Sequence, residues 1–139
     1  MSIGCLRMKP KKILVIEDDR LTRTIICDIL TRAGYNVGSA GNAPSAVRIA
    51  RQEKLDLITL DIILGADSPT DSMDGLQIAA WLKRLNHDRR VPMIIISSVD
   101  PQRFAAAIAA APPHIFLPKP IEKHALLSAV AEALAHSPA

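Results

Sequence analysis

The chain has few aromatic residues and few cysteines. One tryptophan, one tyrosine and two phenylalanines make up 3% of its 139 residues. Nucleic-acid sites combine basic patches with aromatic side chains, but the basic residues here cluster only at Lys9, Lys11 and Lys12. The net charge of +3 therefore indicates a solvated surface and no nucleic-acid partner. Cys5 and Cys27 have no motif spacing, and Cys27, in an apolar helical pattern, is predicted to be a small core residue.

Long apolar runs are missing as well. No run approaches the roughly 18 residues that span a bilayer, because the longest candidate, Phe104–Leu117, is interrupted by prolines. The first residues are too short and too weakly apolar for a secretion signal, so we expect a cytoplasmic protein without a membrane partner. The length suits one domain over 11–136, with a flexible extension at 1–10 and a frayed tail at 137–139. It leaves no room for an attached output domain, so we expect a single-domain protein.

Short apolar segments alternate with segments of helical periodicity. The predicted strands are Lys12–Ile16, Asn36–Ala40, Leu55–Leu60, Val91–Ser97 and Ile115–Leu117. The predicted helices run from Leu21 to a stop at Gly34, onward from Pro44, from Leu76 to Leu85, over Pro101–Ala111, and from Leu126 to Leu134. Continuous apolar strands that alternate with amphipathic helices predict an α/β fold, in which a doubly wound, five-stranded parallel sheet is covered on both faces.

Polar residues follow four of these strands. Glu17, Asp18 and Asp19 follow the first strand and Asp61 ends the third, while Ser97 and Lys119 come at the ends of the fourth and fifth. In doubly wound sheets, ligands bind beyond the carboxyl ends of the strands. Crowded carboxylates need a cation, and oxygen ligands favour Mg²⁺. A carboxylate beside that ion can attack a phosphoryl group, whose oxygens lysine and serine are suited to bind.

Each residue also has an ordinary explanation. Asp19 is a suitable cap for the first helix, Ser97 suits a turn, and Lys119 suits a solvated surface. Their occurrence together, in order, at successive strand ends favours a phosphoacceptor site.

Five segments resemble the receiver domains of two-component response regulators. They are Ile13–Arg23, Asp56–Leu64, Met73–Ala79, Val91–Ser98 and Leu117–Ile121, and the similarity extends from Lys11 to about His136. Each segment is weakly specific alone, but five in the right order are strongly specific. The resemblance implies a flavodoxin-like (βα)5 fold with strand order 2-1-3-4-5.

The resemblance also implies residue roles in a metal-dependent step. Asp61 matches the residue that accepts a phosphoryl group from a histidine kinase or histidine phosphotransfer protein. Asp18 matches a direct Mg²⁺ ligand, and Glu17 matches an acidic neighbour that acts through water. The backbone carbonyl of Ile63 matches the third protein ligand.

The remaining implied roles concern switching. Ser97 matches a hydroxyl that moves to the phosphoryl group, and Lys119 matches the phosphate-binding lysine, which precedes a cis bond to Pro120. Phe116 matches an aromatic residue that changes rotamer on activation, although packing in the strand core explains it equally well. The fourth helix, fifth strand and fifth helix form the output face in the family, which implies an unknown downstream protein or a homodimer as partner. Onward phosphotransfer in a relay is the alternative output.

The sequence departs from the family after Asp61. The usual proline position is Gly65 and the matching glycine, Gly75, comes late, so 65–74 is a longer loop, for which solvation is favoured over partner contact. Ile63 and Val99 occupy positions that influence hydrolysis in the family. Since neither side chain can position water by hydrogen bonding, we expect a long-lived phosphoryl group.

Three other functions fit less well. A phosphohydrolase with an aspartyl-phosphate intermediate would commonly carry a second acid at the position of Ile63, so we expect no enzyme acting on other substrates. A phosphate-independent interaction module would not need the full set of site residues. A flavin-binding protein would need a phosphate-cradling loop where Glu17, Asp18 and Asp19 lie.

Overall fold

The computed structural model describes residues 10–61, 91–97 and 114–135. The described elements, in chain order, are β1 (Lys12–Ile16), α1 (Arg20–Arg32), β2 (Asn36–Ala40), α2 (Ala43–Gln52), β3 (Leu57–Asp61), β4 (Met93–Ser97), β5 (His114–Pro118) and α3 (Lys123–Ala135). The third and fourth predicted helices, the 65–74 loop and the predicted tail lie outside the described residues, as does the N-terminal extension up to residue 9. None of the described helices is long and apolar enough to cross a membrane.

The five strands form one parallel sheet in the order β2-β1-β3-β4-β5. One row of neighbours across the sheet runs through Ser39, Val15, Thr59, Ile94 and Ile115. The strand order and the parallel pairing confirm the predicted fold. Because all strands point the same way, their carboxyl ends lie along one edge, where the chemistry was predicted.

The core lies on both faces of the sheet. Ile13, Leu14 and Val15 in β1 are fully buried although their side chains alternate between faces. On one face, strand residues pack with Ile26 of α1 and Val130 of α3. This double burial explains why the strands read as continuous apolar runs.

The helix ends follow signals in the sequence. The Asp19 side chain accepts a hydrogen bond from the Thr22 backbone N–H at 2.8 Å and so caps α1, a position at which aspartate is favoured. Gly34 follows that helix with φ of 101°, a left-handed conformation that favours glycine. Asn42 caps α2, and Pro44 lies in the first turn of that helix.

The bounds of β1 and β2 match the predicted ones, and the bounds of the other three strands differ by one or two residues. β3 begins at Leu57 and not Leu55, although Leu55 is fully buried and the preceding Asp56 already bonds to Lys12 through its backbone and side chain. β4 begins at Met93 and not Val91, and β5 is one residue longer at each end than predicted. Cys27 is half-buried and packs against the core from its margin.

Candidate functional site

Three carboxylates meet at the carboxyl edge of the sheet. Glu17 and Asp18 follow β1, and Asp61 is the last residue of the adjacent strand β3. Each offers an oxygen within 4.8 Å of the others. Glu17 is 1% exposed and the Asp61 side chain 3%, while Asp18 is open to solvent. The cluster thus combines two buried acids with one that faces water.

Lys119, just after β5, adds a positive charge to this cluster. Its Nζ atom lies 2.8 Å from Asp61 Oδ1 and 3.6 Å from Glu17 Oε1. The 2.8 Å contact is the length of a charge-assisted hydrogen bond, and the longer contact with Glu17 is an ion pair. The bond from Lys119 to Pro120 is cis, as the resemblance implied.

Burial and crowding change the acidity of the site. Burial and the nearby Asp61 carboxylate raise the pKa of Glu17 to about 7, against smaller opposing effects of the Asp19 N–H and Lys119. Burial lowers the pKa of Lys119, but its contacts with Asp61 and Glu17 outweigh this and leave the pKa raised. The ammonium therefore stays charged, and it is the one cation in ion-pair contact with the cluster among the described side chains.

The crowded carboxylates fit a divalent cation. Among the described side chains, three carboxylates share the single positive charge of Lys119, and two of the three are buried, which is costly unless a further cation joins them. The donor set consists of oxygens alone, and Asp18 adds a solvent-facing carboxylate where coordinating water has room. Such a set suits Mg²⁺, which Glu17, Asp18 and Asp61 would hold.

Backbone contacts fix the turn that carries the acids. The Glu17 N–H donates to the Ala40 carbonyl at 3.1 Å, and the Asp19 N–H donates to Glu17 Oε2 at 3.1 Å. Arg23 Nη1 donates to the Glu17 carbonyl at 2.7 Å. Arg23 gives no signal of this contact in the sequence, because an arginine early in an amphipathic helix resembles a solvated charge.

The other predicted site residues are described only in part. Ser97 ends β4, next to Ile96, which pairs with Asp61, and Phe116 lies within β5. The side chains of Ser97 and Phe116 are not among those described. Ile63 and Val99 lie outside the described residues altogether.

A family model for the response regulator receiver domain matches residues 13–131. The chain belongs to the response regulator receiver domain family. This confirms the resemblance and identifies the chain as a signalling domain of two-component systems.

Named relatives show how such receivers are used. The Escherichia coli K12 transcriptional regulatory protein GlrR is 30% identical over 129 residues, which are 93% of this chain and 27% of that protein. This chain thus spans about a quarter of the length of that regulator. The chemotaxis protein CheY of Thermotoga maritima is 28% identical over 121 residues, which are 86% of this chain and 94% of that protein. The same domain therefore occurs in long regulators and in a short chemotaxis protein.

A solved receiver shares the fold. The receiver domain of sensor histidine kinase PA1611 from Pseudomonas aeruginosa superposes with a TM-score of 0.75 at 24% identity, covering 91% of this chain and 99% of that one. That receiver contains a magnesium ion coordinated in its active site cleft. At this identity, the likeness establishes the fold alone.

Proposed function

We propose that residues 11–136 act as a phosphorylation-controlled switch in which Asp61 accepts a phosphoryl group. The observation that carries this proposal is the surroundings of Asp61. Its carboxylate is almost buried, an ammonium lies 2.8 Å away, and two more carboxylates complete an oxygen-only cluster. A lone strand-end aspartate would have none of these partners.

The transfer step is a displacement at phosphorus. A carboxylate oxygen of Asp61 forms a bond to the phosphorus of a phosphohistidine on a kinase or phosphotransfer protein. The P–N bond breaks, and its electron pair goes to the imidazole nitrogen, which then takes up a proton. When bound, Mg²⁺ supplies positive charge that offsets the charge on the transferring oxygens.

The residues around Asp61 divide this work. Glu17, Asp18 and Asp61 would hold the cation, with the Ile63 carbonyl as a further ligand. Lys119 contacts Asp61 Oδ1 at 2.8 Å and is thus close enough to bind a phosphoryl oxygen on that carboxylate. Ser97 supplies a hydroxyl to another phosphoryl oxygen, and Phe116 adjusts its packing in response.

The output is a change at a protein-binding surface. A phosphoryl group adds negative charge beside Lys119, and this charge biases a two-state surface that includes β5 and the C-terminal helix α3. That surface, with the fourth predicted helix, binds a downstream protein or a second copy of the chain. All these steps occur in the cytoplasm, and the protein catalyses only its own phosphorylation and dephosphorylation.

Labelling with radioactive acetyl phosphate and Mg²⁺ tests the assignment. Wild type should incorporate about one phosphoryl group per chain, and Asp61→Asn should incorporate none. Asp28→Asn is a matched control, because Asp28 is exposed and pairs with Arg32 on α1 at 3.0 Å, outside the site. Persistent labelling of Asp61→Asn would refute the assignment, and repeated turnover of acetyl phosphate would indicate a phosphohydrolase instead.

Beryllofluoride, which mimics the phosphoryl group, tests the output. In the presence of Mg²⁺ and beryllofluoride, immobilised wild type should retain a partner, or wild type in solution should elute as a dimer in gel filtration. Asp61→Asn should do neither. Identical behaviour of the two proteins, with and without the mimic, would contradict a phosphorylation-dependent surface.

A further inference from the structure

One arginine holds the turn of residues 17–19, here called the acidic turn. Arg23 Nη1 donates a hydrogen bond of 2.7 Å to the carbonyl oxygen of Glu17. The Arg23 backbone N–H also donates to the Asp19 carbonyl at 2.9 Å, within the first turn of α1. Bonds from a charged donor are stronger than neutral ones, so this guanidinium is a firm anchor for the turn.

Gly41 leaves the space that this guanidinium occupies. A Cβ atom at position 41 would lie 2.7 Å from Arg23 Nη1, which is closer than Cβ atoms come to other heavy atoms in proteins. Among the described glycines, only Gly34 has a positive φ, so the backbone conformation at Gly41 does not call for glycine. The absence of a side chain at position 41 therefore allows Arg23 to reach the Glu17 carbonyl.

The anchored carbonyl belongs to the peptide that joins Glu17 to Asp18. On one side of Glu17, its N–H bonds to Ala40 of β2, and on the other side its carbonyl bonds to Arg23. Like charges on Glu17, Asp18 and Asp61 would favour a movement of the turn away from β3. Anchors on both sides of Glu17 oppose that movement and keep the carboxylates together before a cation arrives.

We propose that Arg23 is a positioning residue that prepares Glu17 and Asp18 for a divalent cation, in space that Gly41 provides. The inference rests on the proposed function, since it assigns the acidic turn to Mg²⁺ binding. Arg23 bonds to the backbone, so it acts through the acidic turn and not on the phosphoryl group.

Calorimetric titration with MgCl₂ tests the inference in three single variants. Arg23→Gln removes the anchor, and Gly41→Ala displaces it while the arginine is retained. Both should raise the Kd for Mg²⁺ about tenfold, the lower end of the range for lost support of a metal ligand. Arg20→Gln is the matched control, because it removes the same charge from the start of α1, and its Kd should equal that of wild type.

The double variant Arg23→Gln/Gly41→Ala tests whether the two residues act as one unit. If Gly41 acts only by admitting Arg23, the double variant should bind Mg²⁺ no more weakly than Arg23→Gln alone. Additive losses would overturn the role assigned to Gly41.

Hydrogen exchange in metal-free protein gives a second measurement, independent of Mg²⁺. The Asp19 amide donates to Glu17 Oε2, so a loosened acidic turn should speed its exchange in Arg23→Gln and Gly41→Ala. At saturating Mg²⁺, the labelling rate of Asp61 in both variants should return to that of wild type, because Arg23 does not touch the phosphoryl group.

Three results would overturn the inference. One is an unchanged Kd and unchanged exchange in folded Arg23→Gln and Gly41→Ala. Another is an equal loss of Mg²⁺ affinity in Arg20→Gln, which would mean that the loss does not depend on the bond to the Glu17 carbonyl. The third is a labelling defect that saturating Mg²⁺ does not restore. If Arg23→Gln fails to fold, Gly41→Ala decides, because the end of a flexible arginine can move aside at little cost to the fold.

The wild-type protein separates this inference from the proposed function. Wild type that binds no Mg²⁺ or is not labelled at Asp61 would refute the proposed function and the inference with it. Normal labelling of wild type, with variants that bind Mg²⁺ equally well, would refute the inference alone.

Discussion

At the scale of single residues, Glu17 is a buried acid whose ionisation affects the stability of the metal-free protein. Burial and Asp61 raise its pKa from 4.5 to about 7. The folded state therefore binds a proton on Glu17 more tightly than the unfolded state does. The contribution of this proton to the stability of the folded state is full below pH 4.5 and is lost as pH rises through about 7. The free energy of unfolding should fall by about 1–3 kcal/mol across this range.

Urea denaturation in EDTA, repeated in steps from pH 4.5 to 7.5, measures this dependence. Glu17→Gln should flatten the slope, because the side chain no longer titrates. Glu53→Gln is the control, since Glu53 is 45% exposed and pairs with Lys12 away from the site, and it should keep the wild-type slope. An unchanged slope in Glu17→Gln would place the titrating group elsewhere.

Lys119 contacts the proposed acceptor, yet it is not expected to hold the cation. Lys119→Met should slow labelling of Asp61 at least about tenfold, since the transferring oxygens lose a charged partner. The affinity for Mg²⁺ should not fall, because the substitution removes a positive charge 3.6 Å from Glu17 Oε1. The labelling rate and the Mg²⁺ affinity of this variant distinguish the two effects. Lys123→Met, which removes an exposed lysine at the start of α3, is the control. Loss of Mg²⁺ binding in Lys119→Met would contradict this division.

At the scale of elements, helix α2 depends on the cap at its start. The Asn42 side chain accepts a hydrogen bond of 2.9 Å from the Ser45 N–H. Asn42→Ala should lower the free energy of unfolding by about 1 kcal/mol, whereas Asn42→Asp should keep most of it. Chemical denaturation measures both variants, with Asn36→Ala, another exposed asparagine, as a control. Labelling of Asp61 should be normal in all three, because α2 contributes nothing to the acidic cluster.

The elements themselves were largely predictable, because the apolar pattern directly reflects burial. β1 was predicted with both ends correct, since all its apolar residues are buried and charged residues flank it. β3 was predicted two residues early, because Leu55 is buried as deeply as a strand residue. Burial and strand pairing differ at that point, and a pattern of hydrophobicity reports only burial.

The clustering of the charged residues was predictable where they directly follow strands. Glu17, Asp18, Asp61 and Lys119 were named from their positions after apolar runs, and the structure brings these four together. The bond from Arg23 to the Glu17 carbonyl was not predictable. It joins a side chain to a backbone oxygen and needs an empty space at Gly41, and neither condition leaves a periodic signal in the sequence.

At the scale of the whole molecule, the site exists only when the sheet is complete. Glu17, Asp61 and Lys119 are far apart in the chain and meet because β1, β3 and β5 end at the same edge. The unfolded chain cannot present these groups together. A cation bound there is therefore linked to global folding and not to a local loop.

This linkage predicts how Mg²⁺ changes the stability of the domain. A ligand that binds only the folded state stabilises it by about 2.7 kcal/mol at one hundred times its Kd. Thermal or urea unfolding should show this gain with Mg²⁺, and EDTA should reverse it. Ionic strength must be matched with NaCl, because any added salt screens the repulsion among the carboxylates.

Two aspartate variants show whether the gain comes from the site. Asp18 is exposed, so Asp18→Asn removes a carboxylate without disturbing the buried core. The fold should persist, while most of the Mg²⁺-dependent gain in stability is lost. Asp28→Asn removes another exposed acid, which lies outside the cluster, and should keep the full gain. Equal gains in the two variants would mean that Mg²⁺ acts by screening and not by binding at the edge of the sheet.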